Sequence, residues 1–238
     1  MSKVTGGKAV YGASLGILML DARFPRIPGD MGNARTWPFP VHYRIVREAT
    51  PDRVVRRNAE GLLDAFIDAA RDLVATGADG ITTNCGFLSL FQKELAAAVA
   101  VPVASSSLMQ AAFIGALLPP GRRVGIITIS ADTLSAAHLE AAGVGGDVAI
   151  VGTRPDCHFN DVILGNRDEL DTGRARDDLL EAAARLVREH EGIGAILLEC
   201  TNMCPYAAAM RDAVGLPVFD MAGFIRWFQS GLRPRHHV

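Results

Sequence analysis

Short runs of apolar residues alternate along this chain with longer amphipathic stretches. Runs of strand length fall at residues 16–20, 41–46, 80–83, 101–104, 124–129, 148–151, 195–198 and 217–219. Unbroken apolar runs of this kind suit strands buried on both faces of a parallel sheet. Helical spacing predicts helices over 52–75, 88–100, 107–118, 132–142, 173–191, 205–214 and 222–229. In the first of these, Leu62, Leu63, Phe66, Ile67, Ala70 and Val74 form one apolar stripe, opened by Thr50-Pro51-Asp52 and closed by Gly77. Strand and helix alternate, which predicts a parallel α/β protein. The Gly- and Pro-rich stretch 21–40 has no period and is long for a connection, as functional or mobile loops are.

An internal repeat sharpens this expectation. Gly77-Ala78-Asp79-Gly80-Ile81-Thr82-Thr83-Asn84-Cys85 aligns with Gly192-Ile193-Gly194-Ala195-Ile196-Leu197-Leu198-Glu199-Cys200, 115 residues later. Without a gap, Val101-Pro102-Val103 then aligns with Leu216-Pro217-Val218. Each copy reads as a glycine at a helix end, a buried strand, a cysteine at the strand's end, a helix, and a short strand of the form apolar-Pro-Val. Duplication of a half-molecule predicts two similar α/β domains facing one another about a pseudo-twofold axis, with a cleft between them.

Composition narrows the partners. The 238 residues carry 24 Lys+Arg against 26 Asp+Glu, so no broad attraction to nucleic acid or anionic lipid is expected. The arginines of the first quarter (Arg23, Arg26, Arg53, Arg56, Arg57) read as a solvated helix face. No apolar run reaches the roughly 18 residues of a membrane helix. Residues 9–20 lack a signal-peptide cleavage site, so a cytoplasmic location with reduced thiols is expected. The four cysteines fit no zinc spacing, and no dinucleotide, P-loop or Schiff-base motif is present, so no cofactor or metal is expected. Homo-oligomerisation stays open.

Cys85 and Cys200 each end a predicted parallel strand, where α/β sheets bind ligands. The helix N-terminus that follows should favour both a thiolate and a bound carboxylate, so a modest downward shift would make either thiol a base near neutral pH. Two thiols on opposite sides of one carbon could invert it, one removing a proton and the other returning one. Asn84, Thr201 and Asn202 adjoin the thiols as hydrogen-bond donors, Ser130 and Thr133 open another helix in a manner suited to a carboxylate, and Asp21 lies at the ligand-facing end of the first strand. Cys157 and Cys204 read as packing residues, and His42, His158, His236 and His237 as structural, loop or tail residues.

These features resemble the aspartate/glutamate/hydantoin racemase superfamily. The resemblance is carried by Thr83-Asn84-Cys85-Gly86, by Leu198-Glu199-Cys200-Thr201-Asn202, and by the stretch from Val124 to Thr133. It implies two α/β domains (1–107 plus 220–238, and 108–219), with the last helix returned to the first domain. Cys85 and Cys200 would be the acid/base pair, and Asn84, Gly86, Ser130, Thr133 and Thr201 would bind a substrate carboxylate. Three departures stand out: Asn202 where amino-acid racemases place a histidine, Glu199 where a small residue is usual, and the extended loop after Asp21. They turn the expectation from glutamate or aspartate towards a hydantoin, a larger amino acid or another 2-substituted acid. The expected function is therefore a cofactor-independent racemase or epimerase acting on a small carboxylate. The alternatives are a cysteine-dependent cis–trans isomerase, a decarboxylase, which the second cysteine disfavours, and a non-catalytic binder of small anions.

Overall fold

A computed structural model of the chain describes residues 6–234. Eight strands are present among the described residues: β1 (Leu15–Leu20), β2 (Val41–Val46), β3 (Gly80–Thr83), β4 (Val103–Ala104), β5 (Arg123–Thr128), β6 (Ala149–Gly152), β7 (Ile193–Leu198) and β8 (Val218–Phe219). They form two parallel four-stranded sheets, ordered β2-β1-β3-β4 and β6-β5-β7-β8. The strand order is the same in both halves, as duplication requires. The central strands β1, β3, β5 and β7 are almost wholly buried, which is why each reads as a continuous apolar run.

Nine α-helices cover the sheets among the described residues: α1 (Pro51–Arg56), α2 (Leu63–Thr76), α3 (Gln92–Ala98), α4 (Ala111–Leu117), α5 (Ala136–Ala141), α6 (His158–Leu164), α7 (Thr172–Glu189), α8 (Ala207–Val214) and α9 (Met221–Leu232). The repeat holds residue for residue around the two cysteines. A 3-10 turn over Gly86–Phe91 leads into α3, and 115 residues later its counterpart over Thr201–Tyr206 leads into α8. Met221, Ala222 and Ile225 of α9 pack with Leu15, Ile17 and Met19 of β1, so the last helix lies on the first sheet.

The structure departs from the sequence expectation in three places. The helix expected over 52–75 is two helices. Thr50 caps the first by accepting from the Arg53 N–H, but Asn58, Ala59 and Gly61 take positive φ of 50°, 52° and 70° and end it. Leu62 then restarts the chain into α2, keeping the stripe buried through Phe66, Ala70 and Leu73. Helix α6 stands where a polar loop is expected, its short apolar pattern hidden by Cys157, His158 and Asn160. The stretch 21–40 is neither open nor loose: it buries Phe24, Asp30, Met31 and Trp37 and makes a 3-10 turn at Ala34–Thr36. Gly77 closes α2 at φ 142°, where an added Cβ would meet the Val10 carbonyl oxygen at 2.2 Å. His236 and His237 lie outside the described residues.

Candidate active site

The carboxyl ends of β3 and β7 meet between the sheets. Asn84 extends β3 by donating its N–H to the Leu18 carbonyl, and its side-chain oxygen accepts from the Leu20 N–H (2.8 Å). Two hydroxyls join the strand ends across the halves. Thr201 Oγ1 donates to the Asn84 carbonyl (2.6 Å), and Ser107 Oγ donates to the Leu198 and Glu199 carbonyls (2.7 and 3.1 Å). Backbone groups at strand ends have lost their ladder partners, and these hydroxyls supply replacements.

Between these strand ends lies a narrow cavity of about 20 Å³, enough for one water. Cys85 and Cys200 both line it, at 9% and 6% exposure. Asn84, Gly86, Thr201 and Asn202 line it too, so six of the nine residues singled out from the sequence come together there. Apolar side chains complete the wall, among them Phe24, Val55, Phe87, Ile129 and Leu164. The other three residues lie elsewhere. Asp21 accepts from the Glu48 N–H (3.3 Å) and holds the turn after β2. Ser130 and Thr133 line a separate, open cleft of about 490 Å³ that shares only Ile129 and Leu164 with the cysteine cavity.

The thiols are harder to ionise than the sequence suggests. Burial pushes Cys85 up to about 12, and the nearby Glu199 carboxyl adds to the rise. Cys200 is also raised well above the ordinary thiol value by the same two causes, with Cys85 itself a smaller contributor. Desolvation therefore outweighs the backbone donors of the turn in this narrow cavity. The two thiols are not equivalent. Cys85 receives the Phe87 and Leu88 N–H groups and feels the positive Arg26, all of which favour a thiolate. Cys200 receives one backbone N–H, from Asn202, and its Sγ donates to Asn202 Oδ1 (3.6 Å).

Three further side chains belong to this site. Asn202 Nδ2 donates to Asp30 Oδ2 (2.6 Å), and Asp30 Oδ1 accepts from Arg26 Nη1 (2.9 Å). Arg26 lies over the Phe24 ring, 4.6 Å from its centroid, with a second guanidinium nitrogen buried and without a hydrogen-bond partner. A chain of contacts thus runs from Cys200 through Asn202 and Asp30 to Arg26, and the loop 21–40 supplies half of it. Nothing in the local pattern of that loop marks Arg26 or Asp30, because their partners are distant in sequence. Glu199 is fully buried. Its Oε2 accepts from Thr128 Oγ1 (2.7 Å), while its Oε1 has no partner.

Residues 105–224 match the Asp/Glu/hydantoin racemase family. The chain belongs to this family. Among its relatives is a dimethylsulfoniopropionate lyase of Durusdinium sp. clade D, 31% identical over 224 residues that cover 87% of this chain and 71% of the relative. Dimethylsulfoniopropionate lyase 6 of Emiliania huxleyi is 32% identical over 226 residues, covering 87% of this chain but only 56% of that protein. The chain thus spans little more than half of some of the relatives it matches. Allantoin racemase from Klebsiella pneumoniae shares the racemase-family fold, with a TM-score of 0.62 and 18% identity over 91% of this chain and 88% of that one. The family and the two-sheet α/β fold are as the resemblance implied. Proteins similar to this chain thus include some named as lyases and some named as racemases. No helix among the described residues is long and apolar enough to cross a membrane.

Proposed function

We propose that the chain is a cofactor-independent enzyme that removes the proton alpha to the carboxylate of a small acid, with Cys85 and Cys200 as its acid/base pair. The observation that carries this reading is the placement of both thiols, one from each repeat, on one narrow cavity. Asn84, Thr201 and Asn202 hold the strand ends and the second thiol, and Gly86, with no side chain, lets Glu199 pack against the turn after Cys85. Cys85, with two backbone donors and Arg26 in support, is the base, and Cys200 is the proton-bearing partner.

The favoured outcome is β-elimination. The Cys85 thiolate takes the α-proton, the electron pair of that C–H bond forms the new Cα=Cβ bond, and the bond from Cβ to the leaving group breaks with its pair on the leaving atom. From dimethylsulfoniopropionate the products are acrylate and neutral dimethyl sulfide. Two observations favour it: the named lyases among the relatives, and a largely apolar wall containing Phe24 and Phe87. A sulfonium has no N–H groups to satisfy and suits an aromatic wall, whereas an α-ammonium would lose its hydrogen bonds to water there. The second reading is racemisation or epimerisation of a hydantoin-type or 2-substituted acid. The paired thiols favour it, since elimination needs one base and inversion needs two.

Incubation with dimethylsulfoniopropionate, followed by proton NMR, tests the first reading. Acrylate is expected from the wild type, with a loss of about 10²-fold or more in Cys85→Ala. Inversion of a hydantoin that depends on both cysteines, without acrylate, moves the assignment to the second reading. Neither reaction from the folded protein overturns both.

A further inference from the structure

The geometry points to Glu199 as a proton-donating contact for the substrate's carboxylate, giving its Oε1 proton to that carboxylate as the α-proton leaves for the thiol. This inference rests on the α-proton reading above and adds a third group to the two thiols. Glu199 has no exposed surface, and its two oxygens are treated differently. Thr128 Oγ1 donates to Oε2 at 2.7 Å and the Ile129 N–H also supports the carboxyl, while Oε1 is left without a partner. The free oxygen faces Gly86, where an added Cβ would lie 2.2 Å from it. Glu199 lines the same cavity as Cys85 and Cys200. A buried carboxyl oxygen without a partner is a costly arrangement unless a ligand completes it.

Chemistry supplies the reason for a carboxyl here. Removing a proton beside a carboxylate places a second negative charge on the substrate, and the barrier falls when that charge is met by a donor. As the thiolate takes the α-proton, the Cα–H electron pair moves into a Cα=C bond and the charge moves to a carboxylate oxygen. The Glu199 Oε1–H bond breaks with its pair on Glu199, and the proton joins that oxygen. When the enediol collapses, by reprotonation at carbon or by loss of a leaving group, the proton returns to Glu199. No outside reactant is consumed.

Burial keeps the acid protonated up to about pH 7, the range in which it can act as a donor. Burial lifts Glu199 to about 7, against smaller downward contributions from Thr128 and the Ile129 N–H. From the end of β5 it meets only these neutral donors, and from the turn after Cys85 it meets Gly86. Ser107, from the turn after β4, donates only to its carbonyl. The titratable groups sharing its cavity are Cys85 and Cys200, both raised far above neutral. Arg26 and Asp30 stand beyond them as an ion pair. Among the groups lining the cavity, Glu199 is therefore the one that titrates near pH 7.

Propionate binding to the full chain, measured by calorimetry from pH 5.5 to 8.5, tests this without turnover. Wild-type affinity is expected to hold below about pH 7 and then fall roughly tenfold per unit, as the donor becomes a second anion. Glu199→Gln keeps an N–H donor but cannot ionise, so its affinity should stay level across the range. Thr128→Val removes a bond that favours the ionised form, so the break should move to higher pH. The same Gln variant should retain propionate binding while losing about tenfold or more in turnover of any substrate found. Level affinity in the wild type, or an unmoved break in Glu199→Gln, overturns the inference. A wild type that binds propionate with the expected profile yet abstracts no α-proton instead sinks the enzyme reading and leaves the contact standing.

Discussion

Burying Glu199 beside two thiols costs stability as well as shaping the chemistry. In the unfolded chain its carboxyl ionises near 4.5, and in the fold near 7. The folded state holds the proton more tightly, so this contribution is fully present below pH 4.5 and is lost as pH rises through 7. The loss is about 3 kcal/mol if the folded and unfolded values differ as stated. Glu199→Gln removes the titration, so the stability difference between variant and wild type should grow in the variant's favour from pH 4.5 to 7. Urea denaturation at several pH values measures it, and parallel curves for the two proteins would refute the buried titration. At this scale the sequence was informative where a repeat marked the residue and silent where it did not. Cys85 and Cys200 stand out because equivalent positions carry the same side chain. Arg26 and Asp30 do not, since their roles come from contacts with Phe24 and Asn202 that no local pattern encodes. Glu199 was visible only as an oddity, a charged residue at the end of a strand that is otherwise apolar.

Among the elements, the loop 21–40 ties into the site through Phe24, which lines the cavity, and through Asp30. Asp30 binds the loop to the turn after β7 through Asn202, and it also neutralises Arg26, with both side chains nearly sealed from solvent. Removing one partner of such a pair leaves a buried charge uncompensated. Asp30→Asn should therefore lose about 3 kcal/mol in urea denaturation and make the loop the first site of limited proteolysis. A change under about 0.5 kcal/mol with an unaltered cleavage pattern would mean the loop is held by its apolar contacts instead. The central strands were readable from their apolar runs, because a parallel strand covered on both faces has few polar positions to confuse the pattern, while the edge strand β2, with His42 and Arg44, was readable from Val41, Tyr43, Ile45 and Val46. The helices were less so. A stripe of apolar residues runs on through 52–75, but Asn58, Ala59 and Gly61 take left-handed conformations that periodicity does not register. In α6 the seven residues are too few for a period to emerge.

Taken as a whole, the molecule is two copies of one strand order with their sheet ends turned towards a shared cavity. Sequence self-similarity was enough to forecast that architecture, since an ungapped offset through strand, cysteine, turn and helix leaves little freedom in how each half folds. It was not enough to forecast the cavity's contents. Ser130 and Thr133 belong to the second half alone and open into the larger neighbouring cleft, while the long loop of the first half fills the space that a more open site would leave. Asymmetry between the halves gives the two thiols different surroundings: Cys85 receives the Phe87 and Leu88 N–H groups and feels Arg26, whereas Cys200 receives the Asn202 N–H and donates to Asn202 Oδ1. The central claim is that a substrate's α-proton passes to one of these sulfurs. Solvent deuterium entering the α-carbon tests it most directly, using dimethylsulfoniopropionate, a 5-substituted hydantoin and aspartate in heavy water. At least one of these should take up deuterium or give acrylate with the wild type, and none should do either with Cys85→Ala. Equal uptake or acrylate formation by wild type, Cys85→Ala and Cys200→Ala, or neither from any of them, would contradict it.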